Sequence, residues 1–278
     1  MTAPREPGVD LPKDVLPGDS ASGGAASDAD STGEMTFLDH LVELRRRLLW
    51  ACAGVLVGVG VCWAFSDAIL SFLLNPIEEA MGQLTVIRPA EAFMNKMKAA
   101  FVGGIFVSLP WLLYQAWAFV APGLYVKERR LFVPVVIVGS GLFVVGAGFC
   151  YYIAMPAAID FLANQGKQFE SNVTVDYAFS FATKLILGLG AVFEMPLFVF
   201  ALARMRVVTA RWLFKKIEIA LFLCFLAAAI LTPTPDVMTM SIFALPMFLL
   251  YLISIVVAWA ARPRDRKKKS KAEETGGK

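Results

Sequence analysis

The residues best suited to chemistry are two glutamates set among arginines. Glu128 stands in FVAPGLYVKERRLF, residues 119–132, between Lys127 and the pair Arg129 and Arg130. Glu43 stands in HLVELRRRL, residues 40–48, just before Arg45, Arg46 and Arg47. Cations beside long apolar runs need no special cause, because they orient membrane helices. A carboxylate among them does. Neighbouring cations hold Glu128 ionised, and an ionised carboxylate accepts a planar guanidinium through two parallel hydrogen bonds that an ammonium cannot reproduce. Each such bond contributes ~1.5–3 kcal/mol when partly shielded from water. On these residues alone two readings stay open: the glutamates receive an incoming cationic group, or they only balance the arginines beside them.

A third carboxylate, Glu194 in AVFEMP, lies inside an apolar run. A carboxylate within a membrane span is costly and usually faces a cavity or a partner. The alternative is a packing glutamate hydrogen-bonded between helices. Other chemistry is poorly supplied. The single histidine, His40, sits on the first helix, and there is no serine with a base inside the membrane, no pair of membrane aspartates, no Walker loop and no G-x-G-x-x-G. Neither catalytic residues nor a metal site nor a cofactor is expected, nothing points to nucleic acid, and the chain reads as a non-enzyme. Cys52, Cys62, Cys150 and Cys224 all lie in apolar runs without a C-x-x-C and read as small buried hydrophobes.

The elements that carry these residues follow from composition. The chain has 278 residues, 58% of them hydrophobic, with a mean hydropathy of +0.63. A helix needs roughly 20 apolar residues to cross a ~30 Å hydrocarbon core. The apolar runs are long and do not alternate, which predicts an all-α membrane protein rather than a barrel. Six spans are expected near 48–65, 100–119, 131–155, 181–203, 217–232 and 238–260. The fifth holds only 13 apolar residues between Glu218 and Thr232. At 1.5 Å per residue this is ~20 Å of helix, short for the core, and predicts local thinning or a tilted neighbour. Pro134, Pro196 and Pro246 are expected to kink their helices or to free a carbonyl, and Gly54 and Gly58 form a G-x-x-x-G packing signal.

Residues 1–34 are rich in Pro, Gly, Ala, Ser and Asp and are expected to be a disordered extension, neither signal nor transit peptide. A membrane domain is expected over 35–261 and a basic tail over 262–278. The domain opens with an amphipathic helix, with Thr36 and Asp39 as a capping box, Phe37, Leu41, Leu44 and Leu48 on one face, and Glu43, Arg46 and Arg47 elsewhere. Of 26 Lys and Arg, 21 fall on one side if both termini share it. That bias predicts an N-in, C-in topology with 66–99 and 156–180 as outer loops, TPTPD (232–236) as an outer turn, and a tail attracted to anionic lipid.

Taken together, HLVELRRRL (40–48), YQAWAFVAPGLYVKERR (114–130), FEMP (193–196) and LTPTPDV (231–237) resemble the TatC family, the large subunit of the twin-arginine, Sec-independent protein translocase. The resemblance covers about residues 36–260. It implies a concave, glove-like bundle of six transmembrane helices in the bacterial cytoplasmic (inner) membrane. It also implies a receptor for twin-arginine signal peptides of folded cargo, driven by the proton-motive force. The partners implied are TatA-type and TatB-type single-span subunits, in a homo-oligomeric complex. Glu43 and Glu128 then look like the acidic pair that receives the arginines, with Arg45, Phe119 and Leu124 in the same patch. Glu194 looks like an intramembrane contact for a partner or for the inserting peptide, with Thr232 or Thr234 supplying a hydroxyl. Pro76, Phe93, Lys98 and Asp236 match structural positions on the periplasmic side. Met240 and Leu252 depart from the family pattern, which has a glutamine and sometimes a glutamate there. The rival reading is a secondary transporter or channel of unknown solute, but no internal repeat of the kind such folds carry is visible.

Overall fold

Long apolar stretches with no water to satisfy their backbone leave helix as the economical solution, and among the described residues the secondary structure is helical throughout apart from one isolated bridge. The structure, a computed structural model, describes residues 37–120, 132–165, 173–232 and 236–261. The described residues from Glu43 onward form one compact unit, with a unit boundary between Val42 and Glu43.

The order is α1 (Phe37–Trp63), α2 (Ser66–Met81), α3 (Pro89–Val120), α4 (Phe132–Phe149), a π turn (Cys150–Ala154), α5 (Met155–Gln165), α6 (Val175–Phe193), α7 (Met195–Arg204), α8 (Ala210–Lys215), α9 (Ile217–Leu231) and α10 (Val237–Ala260). Five segments are long and apolar enough to cross a membrane: Leu41–Trp63, Pro89–Phe119, Val133–Asn164, Val175–Arg204 and Val237–Ala260. The sixth, α9, has only 15 residues, or ~22 Å of helix. The helix at the expected fifth span is therefore as short as the residue count indicated.

The regions expected as outer loops hold more helix than the sequence reading allowed. Within 66–99 lie α2 and the first turns of α3, and α5 continues the third span to Gln165. Pro89 begins α3, where a missing N–H costs nothing, and the Glu91 carboxylate accepts from the Ile87 and Arg88 amides at 3.0 and 3.2 Å. Pro76 accordingly stands inside α2 and not in a loop. The predicted proline effects divide. Pro196 takes the first turn of α7, and the chain breaks between α6 and α7 at Glu194. Pro246 lies within α10. Pro134 occupies the first turn of α4, where no intrahelical donor is required, so it has no bond to break there. Pro110, inside α3, was not anticipated. Thr36 of the proposed capping box lies outside the described residues.

Glycines set how closely α1 approaches α3. A Cβ on Gly58 would lie 2.6 Å from the Gly104 carbonyl oxygen, and one on Gly54 would lie 2.2 Å from the Trp111 ring. The Trp111 indole donates to the Trp50 carbonyl at 2.9 Å, and Trp63 meets Phe93 edge-on at 6.1 Å. These pairs run in opposite order along the two helices, so α1 and α3 are antiparallel. Gly58→Leu is expected to destabilise the protein by ~1–3 kcal/mol through overpacking. Gly60→Leu, at a glycine with open space around it, is expected to be neutral, and thermal midpoints in detergent compare the two. Cys62, Cys150 and Cys224 are buried as expected, but Cys52 is exposed on α1.

At one end of the bundle polar contacts tie the helix tips together. Thr85 bridges to Thr174, with its amide donating to the Val173 carbonyl at 3.0 Å and its carbonyl accepting from Val175 at 3.1 Å. Lys96 pairs with Asp67 at 2.7 Å, and Lys98 pairs with Asp176 at 2.5 Å. Thr174 caps α6 by accepting from the Tyr177 amide.

Candidate functional site

Glu43 lies two turns into α1, and it already holds a guanidinium. Arg47, four residues on, donates through Nε at 2.9 Å and Nη2 at 2.6 Å to the same carboxylate oxygen, Oε1. One helical turn separates the two, which is the spacing at which a glutamate and a following arginine meet on a helix surface. Both side chains are largely covered, at 16% and 19% exposed. The leucine stripe is not: Leu41, Leu44 and Leu48 are 43–61% exposed. In water a helix buries its leucines and shows its charges. Here the order is inverted, as suits a helix whose apolar face meets lipid. Arg45 is exposed and forms no ion pair among the described residues.

Phe119 stands in the last turn of α3. The Trp50–Trp111 bond sets the register between α1 and α3. From that anchor Glu43 is seven residues along α1 and Phe119 eight along α3, in the same direction, displacements of ~10 and ~12 Å. They therefore sit at the same level of the bundle. Leu124 and Glu128 lie outside the described residues, in the segment that leaves α3 at Val120 and enters α4 at Phe132.

Glu194 is 4% exposed at the break between α6 and α7. Neither carboxylate oxygen has a hydrogen-bond partner among the described residues, and so none of these residues supplies the bond that a glutamate packed between helices would make. The carboxylate looks onto Gly139 of α4, where an added Cβ would fall 3.1 Å from Oε2. It lines a small cavity of about 50 Å³ with Leu113, Ala116, Trp117, Leu197 and Phe198. Leu113 and Trp117 precede Phe119 by six and two residues, so Glu194 faces a level ~3–9 Å further into the bundle than Phe119.

The remaining candidates scatter. The Thr232 hydroxyl is buried and donates to the Ala228 carbonyl of its own helix at 2.9 Å. Thr234 lies outside the described residues. Asp236 caps α10 by accepting from the Thr239 amide at 2.7 Å. Pro76, Phe93 and Lys98 belong to α2 and α3 near the tied end, away from Glu43. One pairing and two polar residues escaped the sequence reading. Arg47 was placed off the leucine face with Glu43 but not named as its partner, which its i, i+4 spacing would have revealed. Asn95 and Thr239 are fully buried with side-chain polar atoms that lack partners among the described residues. Thr239 is next to Met240, where a polar side chain was missed, and nothing in its local sequence marks it.

Residues 39–246 match the family model described as Sec-independent protein translocase protein (TatC). The chain belongs to the TatC family. A TatC protein from Koribacter versatilis is 43% identical over 247 residues, spanning 86% of this chain and 91% of that one. One from Helicobacter pylori is 37% identical over 228 residues, spanning 82% and 88%. Two crystal structures of the twin arginine translocase receptor TatC, one in DDM, are 32% identical with TM-scores of 0.71 and 0.72. They cover 80% and 79% of this chain and 99% of their own lengths. As a TatC protein the chain is a multi-pass membrane component of a protein translocase, a non-enzymatic transport machine. TatC membership accounts for the six apolar helices and for the motifs at 40–48, 114–130, 193–196 and 231–237.

Proposed function

We propose that this TatC chain is the receptor for twin-arginine signal peptides and the assembly core of a translocase that moves folded proteins across the bacterial cytoplasmic membrane. The observation that carries this is the Glu43 carboxylate, which binds a guanidinium through two nitrogens at the level of Phe119. A group that grips one arginine in that way has the chemistry to grip another. In this reading both termini are cytoplasmic, in keeping with the Lys/Arg bias. Glu43 and Glu128 capture the arginine pair, with Arg45, Phe119 and Leu124 shaping the patch. The apolar part of the peptide then enters past Glu194.

TatA-type and TatB-type single-span subunits dock near the short α9, where Thr232 or Thr234 adds polarity, and several copies assemble into one complex. A thinned bilayer beside α9 lowers the barrier to passage, and the proton-motive force drives it. Pro76, Phe93, Lys98 and Asp236 hold the periplasmic side.

The test is photo-crosslinking to the full chain from a probe set beside the arginine pair of a signal peptide, with a paired-lysine peptide as control. The arginine peptide is expected to crosslink and the lysine peptide to fail. Equal crosslinking of both would refute a guanidinium receptor.

A further inference from the structure

A second feature lies between α8 and the last turns of α10, at the end of the bundle where α7 and α10 finish. Thr209 caps α8 by accepting from the Trp212 amide at 3.3 Å. The Tyr251 hydroxyl of α10 donates to the Leu213 carbonyl at 2.8 Å and is buried. Ala210 and Leu213 pack inward with Ala258. This short helix is thus held in a fixed rotation, and its outward face is defined. Arg211, Phe214 and Lys215 stand on that face, at i, i+3 and i+4.

Across from them are Ile255, Val256 and Trp259 of α10, and the two faces enclose an open cleft of about 510 Å³. Its apolar walls are uncovered by the described residues: Phe214, Val256 and Trp259 are 63–68% exposed. Arg211 and Lys215 form no ion pair among the described residues. The rim therefore carries two cations and a tryptophan, and the wall below carries aliphatic and aromatic carbon. A soluble anion uses the first and leaves the second wet, whereas an apolar helix uses the second and strands the first. An amphiphile with an anionic head and an acyl chain satisfies both. Tryptophan at the rim fits as well, since its ring prefers headgroup depth.

We propose that this cleft is a binding site for an anionic phospholipid, with the phosphate between Arg211 and Lys215 and one acyl chain along Ile255, Val256 and Phe214. The site does not depend on peptide capture, because it shares no residue with Glu43, Glu128 or Glu194.

The experiment uses the full chain in mild detergent, titrated with phosphatidylglycerol or phosphatidylcholine brominated on the acyl chains. Quenching at the site is the difference between the wild-type protein and Trp259→Phe. Two juxtaposed cations favour the anionic lipid by about 30-fold in half-quenching concentration. Arg211→Gln with Lys215→Gln is expected to remove that preference, and Arg211→Lys with Lys215→Arg to keep it. Excess inorganic phosphate is expected to leave quenching unchanged. Equal binding of the two lipids by the wild type overturns the proposal even if the glutamine variant does not fold. So does a preference that survives in that variant, displacement by phosphate, or a photo-crosslinker at Val256 that captures a single-span subunit in place of lipid. The glutamine variant is also expected to retain arginine-peptide crosslinking, which separates this site from the receptor reading.

Discussion

Alanine at both Glu43 and Glu128 is expected to abolish retention of twin-arginine peptides while the protein still inserts in the membrane. Each carboxylate offers charge-assisted bonds of ~1.5–3 kcal/mol, so losing both weakens capture by roughly 3–6 kcal/mol, or about 10²- to 10⁴-fold. Glutamine at the same positions keeps acceptors without charge and is expected to fall between. Glu43→Ala also strips Arg47 of its partner, so Arg47→Ala is the necessary control. That variant exposes an unpaired Glu43 and is expected to capture peptide at least as well as wild type. Crosslinking yield against peptide concentration at fixed salt reads all four. Undiminished capture by the double alanine variant would sink the receptor reading.

The second large effect is expected at Glu194, where stability and transport should move in opposite directions. Its carboxylate is buried against Leu113, Trp117, Leu197 and Phe198 with neither oxygen hydrogen-bonded among the described residues. Burying a polar group unpartnered costs ~1–3 kcal/mol by protein mutational measures. Methionine fills similar space without that cost, so Glu194→Met is expected to raise the thermal midpoint by several degrees, at ~2–4 °C per kcal/mol for chains near this size. Peptide capture, which the proposed function assigns to the level of Glu43, is expected to survive, and export of a folded reporter is expected to fail. In the proposed function this cost is offset by a partner that meets the carboxylate during transport. Normal export by the methionine variant would show that Glu194 is only tolerated. Loss of capture instead would show that the two carboxylate sites do not divide the work.

Much of the fold was legible because the membrane simplifies the code. A run long enough to cross must be helix, so the spans and the shortness of α9 could be read by counting residues between Glu218 and Thr232. The failures lie where that rule loses its grip. α2 is half polar near its end, with Asn75, Glu78 and Glu79, and contains Pro76, so neither length nor hydropathy marked it. The start of α3 was marked, by Pro89 at its first position and Glu91 reaching back, but the expected span was set by its apolar run alone and so began near 100, after Lys96 and Lys98. These lysines do not end the helix, since lysine is a good helix former, and they pair with Asp67 and Asp176 of neighbouring elements.

At the site, sequence identified the charged residues but not their pairing. Glu43 was placed with Arg46 and Arg47 off the leucine face, and balancing the neighbouring arginines was one of its two open readings, but the i, i+4 spacing that selects Arg47 as its partner was not used. The isolation of Glu194 could not be read locally, since it depends on α3 and α4 presenting Leu113, Trp117 and Gly139 to it, residues far away in sequence. The residues of the receptor patch that lie in 121–131, Leu124 and Glu128 among them, remain assigned by resemblance.

The pairing of Glu43 with Arg47 has one more consequence, for selectivity. If this carboxylate is the docking point, it begins with an incumbent. A tag bearing a lone arginine offers a like-for-like exchange, with one guanidinium seated and another displaced, so little drives it. A lysine does worse, since a single ammonium cannot reproduce the fork of Nε and Nη2 that it must evict. Only an arrival with a second guanidinium for a second carboxylate tips the exchange. The threshold of two arginines would then be set by the receptor's own side chain.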